Sequence, residues 1–257
     1  MNILDGTDEI ICNKINEITG GHKWFGTKTT LLEVSKICPS DIDLTALIRT
    51  LYQKIESNWK NGGQLGSNEN WRWSLKRNID PENKSAEIRI ERAFANILSP
   101  EHWANQIPVA SGLVGSADGR RNIDLAHWDG VRTVTLIELK VASDTPIYAA
   151  FEIVRYALLL CLAREHTEIR MAKPLWKEVS LARLRVVAPT AYYQRDGKPL
   201  SLGWIEHAID RAVAAFGETL PESAKLTMDF GFRAYSSEPH NNEKLLVELL
   251  AFPQFLK

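Results

Sequence analysis

Apolar positions in this chain recur at two spacings, and the places where one gives way to the other divide it into elements. A three-to-four-residue spacing in TDEIICNKINEI and in DIDLTALIRTLYQKIESNW predicts two helices within residues 1 to about 60, the second capped by Asp41 or Asp43. The turn-rich GGHKWFGTKTT joins them, and the Gly- and Asn-rich KNGGQLGSNENWRW reads as a domain boundary or mobile loop. A helix follows over about 85–98, with Ile90, Ala93, Phe94 and Ile97 as its apolar stripe and Glu87 and Glu91 flanking it. Alternation then takes over. IPVASGLVG is a first strand, and NIDLAHW and RTVTLIELKV are stronger ones joined through Asp129 and Gly130.

Asp144 or Thr145 can cap the next helix, with Pro146 in its first turn. That helix runs to about Arg164 and is apolar on most sides, as a central element packed against a sheet would be. LARLRVVAP is a short strand ended by Pro189, GWIEHAIDRAVAAF a helix, LTMDFGF a last strand, and NNEKLLVELLAF a closing helix. From residue 85 the order is helix, three strands, helix, strand, helix, strand. The expected fold class is therefore α/β, a mixed central sheet flanked by helices, with residues 1–80 as an N-terminal helical region and 81–257 as the main domain.

Composition narrows the class without naming a function. At 257 residues, with 44% hydrophobic and 25% charged, the chain can bury a sizeable core and is neither disordered nor fibrous. The acids in MNILDGTDEIICNKINE stand where a secretory leader needs basic residues, and the apolar run YALLLCLA is far shorter than a bilayer span, so a cytoplasmic protein without a membrane anchor is expected. Cys12, Cys38 and Cys161 have neither disulfide nor zinc spacing, and the six histidines show no HxxxH or HxH pattern. GxSxG, GxGxxG and P-loop signatures are absent as well. A formal charge of −1 provides no global attraction to nucleic acid, so such a partner requires a local basic surface.

The chemistry concentrates in RRNIDLAHWDGVRTVTLIELKVA, residues 120–142. Side chains alternate along a strand, so Leu136, Glu138 and Lys140 share one face while Thr135, Ile137, Leu139 and Val141 take the other, toward a core. Asp124 joins Glu138 on its face only if paired residue numbers sum to an even total, which a two-residue Asp129-Gly130 turn forbids. A bulge or a longer loop of three or five residues is expected, with Asp124 across from or diagonal to Glu138. Neighbouring carboxylates repel unless a cation lies between them, and hard oxygen ligands suit Mg²⁺. An ion held there would polarise a phosphodiester and acidify bound water, with the Lys140 ammonium orienting or activating the attacking hydroxide.

Asp124, a hairpin, Glu138-Leu139-Lys140 and a following helix resemble the PD-(D/E)xK nuclease superfamily over about residues 85–189. The resemblance implies a restriction endonuclease-like core, with Mg²⁺ (Mn²⁺ as substitute) held by Asp124, Glu138 and the Leu139 carbonyl, and Lys140 acting on water. It also implies an acid from the preceding helix, Glu87 or Glu91. Ile123 stands where many members have a proline, and residues 1–80 have no counterpart. The expected activity is cleavage of phosphodiester bonds, with nucleic acid, DNA first, as substrate. Arg120 and Arg121 are expected to contact it, and the N-terminal region to serve recognition or partner binding.

Each of these residues also has a plainer reading. Glu138 and Lys140 could pair on a solvated strand face, and Glu87 and Glu91 could be exposed helix positions that pair with Arg92 or similar neighbours. Glu152 and Tyr156, four apart, could reach the site or support Lys140, or Glu152 could pair with Arg155. HKWFGTK and NWRWSLKR interleave aromatic and basic residues as strand stacking would need, or they anchor a small core. The alternative function is a nuclease-fold module without catalysis that binds nucleic acid or a protein. A homodimer or a protein partner is compatible with either.

Overall fold

The structure, a computed structural model, describes residues 2–19, 42–63 and 65–235. Five strands form one mixed sheet: β1 (Trp103–Pro108), β2 (Asn122–Trp128), β3 (Thr133–Leu139), β4 (Leu181–Pro189) and β5 (Thr227–Tyr235), in that spatial order. β1, β2 and β3 pair antiparallel, and β3, β4 and β5 pair parallel. Parallel neighbours need a crossover. α4 (Pro146–Glu165) supplies the first and α5 (Gly203–Gly217) the second. The other long helices are α1 (Thr7–Thr19), α2 (Thr45–Gly62) and α3 (Ala86–Ile97).

Burial separates the two faces of the sheet. Val134, Leu136, Ala182, Leu184, Val186, Met228 and Phe230 share one core with apolar residues of α1, α2, α4 and α5. Leu125, Ile137, Leu139 and Val187 share the other with Ile90, Phe94 and Leu98 at α3. Both faces of β3 are covered, so neither is solvated. The all-round apolar α4 lies in the larger core and is mostly buried within the protein, although by length and composition it could cross a membrane. Its N-cap is Thr145, whose hydroxyl accepts the Tyr148 N–H at 3.3 Å.

Three expectations shift. The first strand ends at Pro108 rather than spanning IPVASGLVG, because its ladder with β2 runs only from Trp103↔His127 to Pro108↔Asn122 and Gly112 then turns the chain at φ +74°. On α3, Ile97 is 47% exposed, and the buried line is Ile90, Phe94 and Leu98, spaced four apart and so drifting across the helix. The stretch read as a boundary or mobile loop is pinned at several points. Ser67 N–H donates to the Ser111 carbonyl and Trp71 N–H to that of Pro108, both at 2.7 Å. Trp71 and Trp73 of NWRW pack edge-on against Trp176 inside the core, where no base can stack on them.

The N-terminal helices are tied into the main body. Arg155 of α4 pairs with Asp8 and also donates to Thr7, so the alternative Arg155 to Glu152 pairing gives way to an anchor for α1. At the start of α2, Asp43 Oδ1 accepts the Thr45 N–H at 2.7 Å, while Asp41 lies outside the described residues. So do GGHKWFGTKTT and the expected closing helix. At the β5 end of the sheet, α5 covers the open edge. Asp210 accepts from Phe230 N–H at 2.8 Å and Glu206 from Phe232 N–H at 3.1 Å. Four helical residues rise about 6 Å and two strand residues about 6.7 Å, which lets two acids on one helix face satisfy alternate amides of the edge.

Candidate active site

The site forms where β2 begins and β3 ends. Asp129 Oδ1 accepts the N–H groups of Val131, Arg132 and Thr133 at 2.8 to 2.9 Å, and Gly130 adopts φ +83°. This wider turn replaces the two-residue form and pairs Trp128 with Val134, His127 with Thr135 and Leu125 with Ile137. The paired numbers have an even sum, so continuing the register by one row sets Asp124 opposite Glu138.

Lys140 sits at the centre of this acidic group. Its Nζ is 2.9 Å from Glu138 Oε1, 3.0 Å from Glu152 Oε2 and 3.7 Å from Asp144 Oδ2. Glu138 is 4% exposed and Lys140 8%, which excludes the solvated-face reading. Glu152 and Tyr156 come from α4, with Tyr156 Oη donating to Glu152 Oε1 at 3.2 Å, so both reach the site and support Lys140. Burial pulls the Lys140 pKa down, but Glu138 and Glu152 together raise it above its ordinary value, and the side chain stays an ammonium. Burial works against Glu152 too, yet Lys140 holds its carboxyl below the usual range.

Asp124 is half-buried and takes one strong hydrogen bond, from the Leu139 N–H to Oδ2 at 2.9 Å. Burial pushes its pKa up to about 6, against the pull of that N–H and of Lys140. Glu138 is raised well above the usual carboxylate value by burial and then by Asp124 and Glu152. Its Oε2 is buried and has no hydrogen-bond partner.

The two acids of α3 occupy different places. Glu91 is 2% exposed, and accepts from Asn105 Nδ2 at 2.5 Å, from Gln106 Nε2 at 2.6 Å and from Arg92. Burial and then Asp124 push its pKa up to about 8. Glu87 Oε1 instead braces the chain leaving β3, accepting from Ser143 Oγ at 2.8 Å and from Val141 N–H at 3.3 Å. Burial raises its pKa, but these donors and Ser85 bring it below the usual range. Glu91, not Glu87, is thus the helix acid linked to Asp124 through a side chain.

Arg120 ends a 3₁₀ turn, Ser116–Arg120, and Arg121 follows it into β2. Both lie at the sheet end that carries Lys140, with Arg120 exposed and Arg121 half-buried. Neither pairs with a described carboxylate of the site.

Two contributors escape a sequence reading. Gln106 Nε2 lies between Glu91 Oε2 and Asp124 Oδ1, the latter at 3.5 Å. Tyr192, in the 3₁₀ turn after β4, is 7% exposed and its hydroxyl has no hydrogen-bond partner. Burial raises its pKa, and the charges of Lys140, Asp144, Glu138 and Glu152 all act on it. A glutamine in a strand and a tyrosine in a short turn carry no periodic or motif signal, and only the assembled sheet end reveals them.

A divalent ion fits part of this arrangement. Glu138 Oε2 is a buried acceptor without a hydrogen-bond partner. Burial, with neighbouring carboxylates adding to it, raises the pKa values of Asp124, Glu138 and Glu91 despite Lys140 and Arg92, a penalty on negative charge that a further cation would relieve. Among the described residues no group of three or more His, Cys, Asp or Glu side chains is set to hold a metal. Asp124 and Glu138 would therefore be the side-chain ligands, a number that suits a cation retaining several waters.

Fold and site together define an α/β protein with a five-stranded mixed sheet, one end of which carries a buried carboxylate and lysine cluster. No protein-family model, curated protein or solved structure matches the chain.

Proposed function

We propose that the protein is an Mg²⁺-dependent nuclease that hydrolyses phosphodiester bonds, DNA first, on a restriction endonuclease-like core. The single observation that carries this reading is the meeting of Asp124, Glu138 and Lys140 at one sheet end, with a buried Glu138 oxygen left unpartnered. The strand order, three antiparallel strands continued by two parallel ones, is compatible with that core.

Asp124 and Glu138 would hold the ion, with the Leu139 carbonyl as a third donor, and Mn²⁺ could replace Mg²⁺. When bound, the ion would polarise a phosphoryl oxygen and lower the pKa of water. In the metal-free protein Lys140 is kept protonated by Glu138 and Glu152, which suits it to donate a proton-bearing nitrogen rather than to serve as a general base. Its role is to donate from Nζ, orienting the attacking oxygen or meeting the charge that develops on the phosphate. Glu152 and Tyr156 hold that ammonium in place. Arg120 and Arg121 would contact the backbone of the strand.

The test is cleavage of single- and double-stranded DNA and of RNA by purified protein with Mg²⁺ or Mn²⁺, compared with Asp124→Asn. Metal-dependent cutting that disappears in the variant supports the reading. Equal cutting by both proteins removes it.

A second reading is favoured by one observation: no three-group metal cluster exists among the described residues, and Lys140 already satisfies one oxygen of Glu138. On that reading the chain is a nuclease-fold module that binds nucleic acid or a protein without cutting. Retention of DNA that weakens with salt, with no heat of Mg²⁺ or Mn²⁺ binding, would select it.

A further inference from the structure

Successive side chains of a strand point to opposite faces. Asn105 and Gln106 nevertheless both reach the Glu91 carboxylate, at 2.5 and 2.6 Å. The backbone explains this, because Gln106 has φ +47°, in the left-handed region that a non-glycine residue rarely enters and that a strand does not contain. The β1–β2 ladder pairs Asn105 with Leu125 and Ile107 with Ile123 and omits the row between, where Gln106 stands opposite Asp124.

Several contacts hold this kink in place. The Gln106 carbonyl accepts from Arg72 at 2.9 Å. Asn105 donates its own N–H to the Ser74 carbonyl at 3.2 Å and clasps Lys76 through Oδ1 to its N–H and Nδ2 to its carbonyl. Strain of this kind persists only where the surroundings over-determine it, and such places cluster at functional sites. What the kink achieves is specific. It carries one amide group between two carboxylates, donating to Glu91 Oε2 at 2.6 Å and approaching Asp124 Oδ1 at 3.5 Å. With the Leu139 N–H on the other oxygen, Asp124 is addressed from both sides.

We infer that Gln106 is a positioning residue, whose amide, buttressed by Glu91 and Asn105, sets the orientation in which Asp124 receives a divalent cation. This rests on the metal-site reading above. Partners that orient a ligand from behind typically contribute about 10–100-fold in metal affinity.

The experiment is calorimetric titration of the full chain with Mn²⁺ alone, together with thermal unfolding, for the wild type, Gln106→Leu and Gln106→Gly. Leucine keeps the bulk and removes the amide. Glycine removes it as well but tolerates the left-handed backbone, which guards against a variant that fails only by misfolding. Both variants are expected to bind Mn²⁺ about tenfold or more weakly. Gln106→Gly loses the hydrogen bond to buried Glu91 but relieves the left-handed backbone. It should therefore still unfold cooperatively and well above the temperature of the titration, which separates weaker binding from loss of structure. Wild-type affinity in both variants overturns the inference while leaving the metal site standing. A wild type without measurable Mn²⁺ binding overturns the metal site itself, and the inference with it.

Discussion

Lys140 Nζ lies 2.9 Å from Glu138 Oε1, and both residues are more than nine-tenths buried. Lys140 therefore neutralises carboxylates that have little access to water, and its loss is a matter of stability as well as activity. Removing one partner of a buried ion pair costs about 3–5 kcal/mol, because the other charge is left uncompensated. Lys140→Ala is expected to lose stability of that order in urea unfolding without metal. The triple variant Lys140→Met with Glu138→Gln and Glu152→Gln should recover most of it and remain inactive. A single variant as stable as the wild type would contradict the buried-pair account.

Asp124 satisfies the Leu139 N–H, so two substitutions there should separate structure from chemistry. Asp124→Asn keeps an acceptor and removes the charge, and its stability should lie within about 1 kcal/mol of the wild type. Asp124→Ala leaves a backbone N–H without its partner, at a cost of about 1–3 kcal/mol. Divalent binding and cleavage should fail in both. Chemical denaturation beside Mn²⁺ titration distinguishes the two effects.

The raised acids predict a definite dependence on pH. A carboxyl whose folded pKa lies above its unfolded value contributes stability below the unfolded value, and this is lost as pH rises through the folded one. For Asp124 and Glu91 the loss runs from about pH 4 to about 6 and to about 8 respectively. Glu87 and Glu152, held below the usual range, act in the opposite sense, but their contribution is already complete above about pH 5. The metal-free protein should therefore melt at a lower temperature at pH 8 than at pH 5, and Mg²⁺ should narrow the gap. Protons compete with the cation for Asp124, so a folded pKa of about 6 makes Mg²⁺ affinity about tenfold weaker at pH 5 than at pH 8. Thermal scans and titrations at the two pH values measure both.

Tyr192 presents a buried hydroxyl without a partner beside the charged group. Such a group costs about 1–3 kcal/mol of desolvation, which phenylalanine avoids. Tyr192→Phe is expected to raise the melting temperature by about 2 °C or more, since 1 kcal/mol corresponds to about 2–4 °C in a chain of this size. A fall in cleavage rate together with this rise would assign the hydroxyl to the substrate. An unchanged or lower melting temperature would show that the hydroxyl is satisfied in the folded protein.

Much of this arrangement follows from short-range rules that a chain carries wherever it folds. Alternation placed Glu138 and Lys140 on one face of β3, parity demanded a turn wider than two residues, and Pro146 after Thr145 marked the start of α4. These depend on residues two to five apart, whose relative directions the backbone geometry decides. Glu91 over Glu87, the orphaned Glu138 oxygen, the left-handed Gln106 and the Tyr192 hydroxyl depend on how α3, β1 and the turn after β4 come together. The same holds for Trp71 and Trp73, which the local pattern offered to a nucleic acid and the core claimed through Trp176. Local spacing determines which way a side chain points from its own element; which charge it then meets, and how far from water, is decided only when distant elements pack.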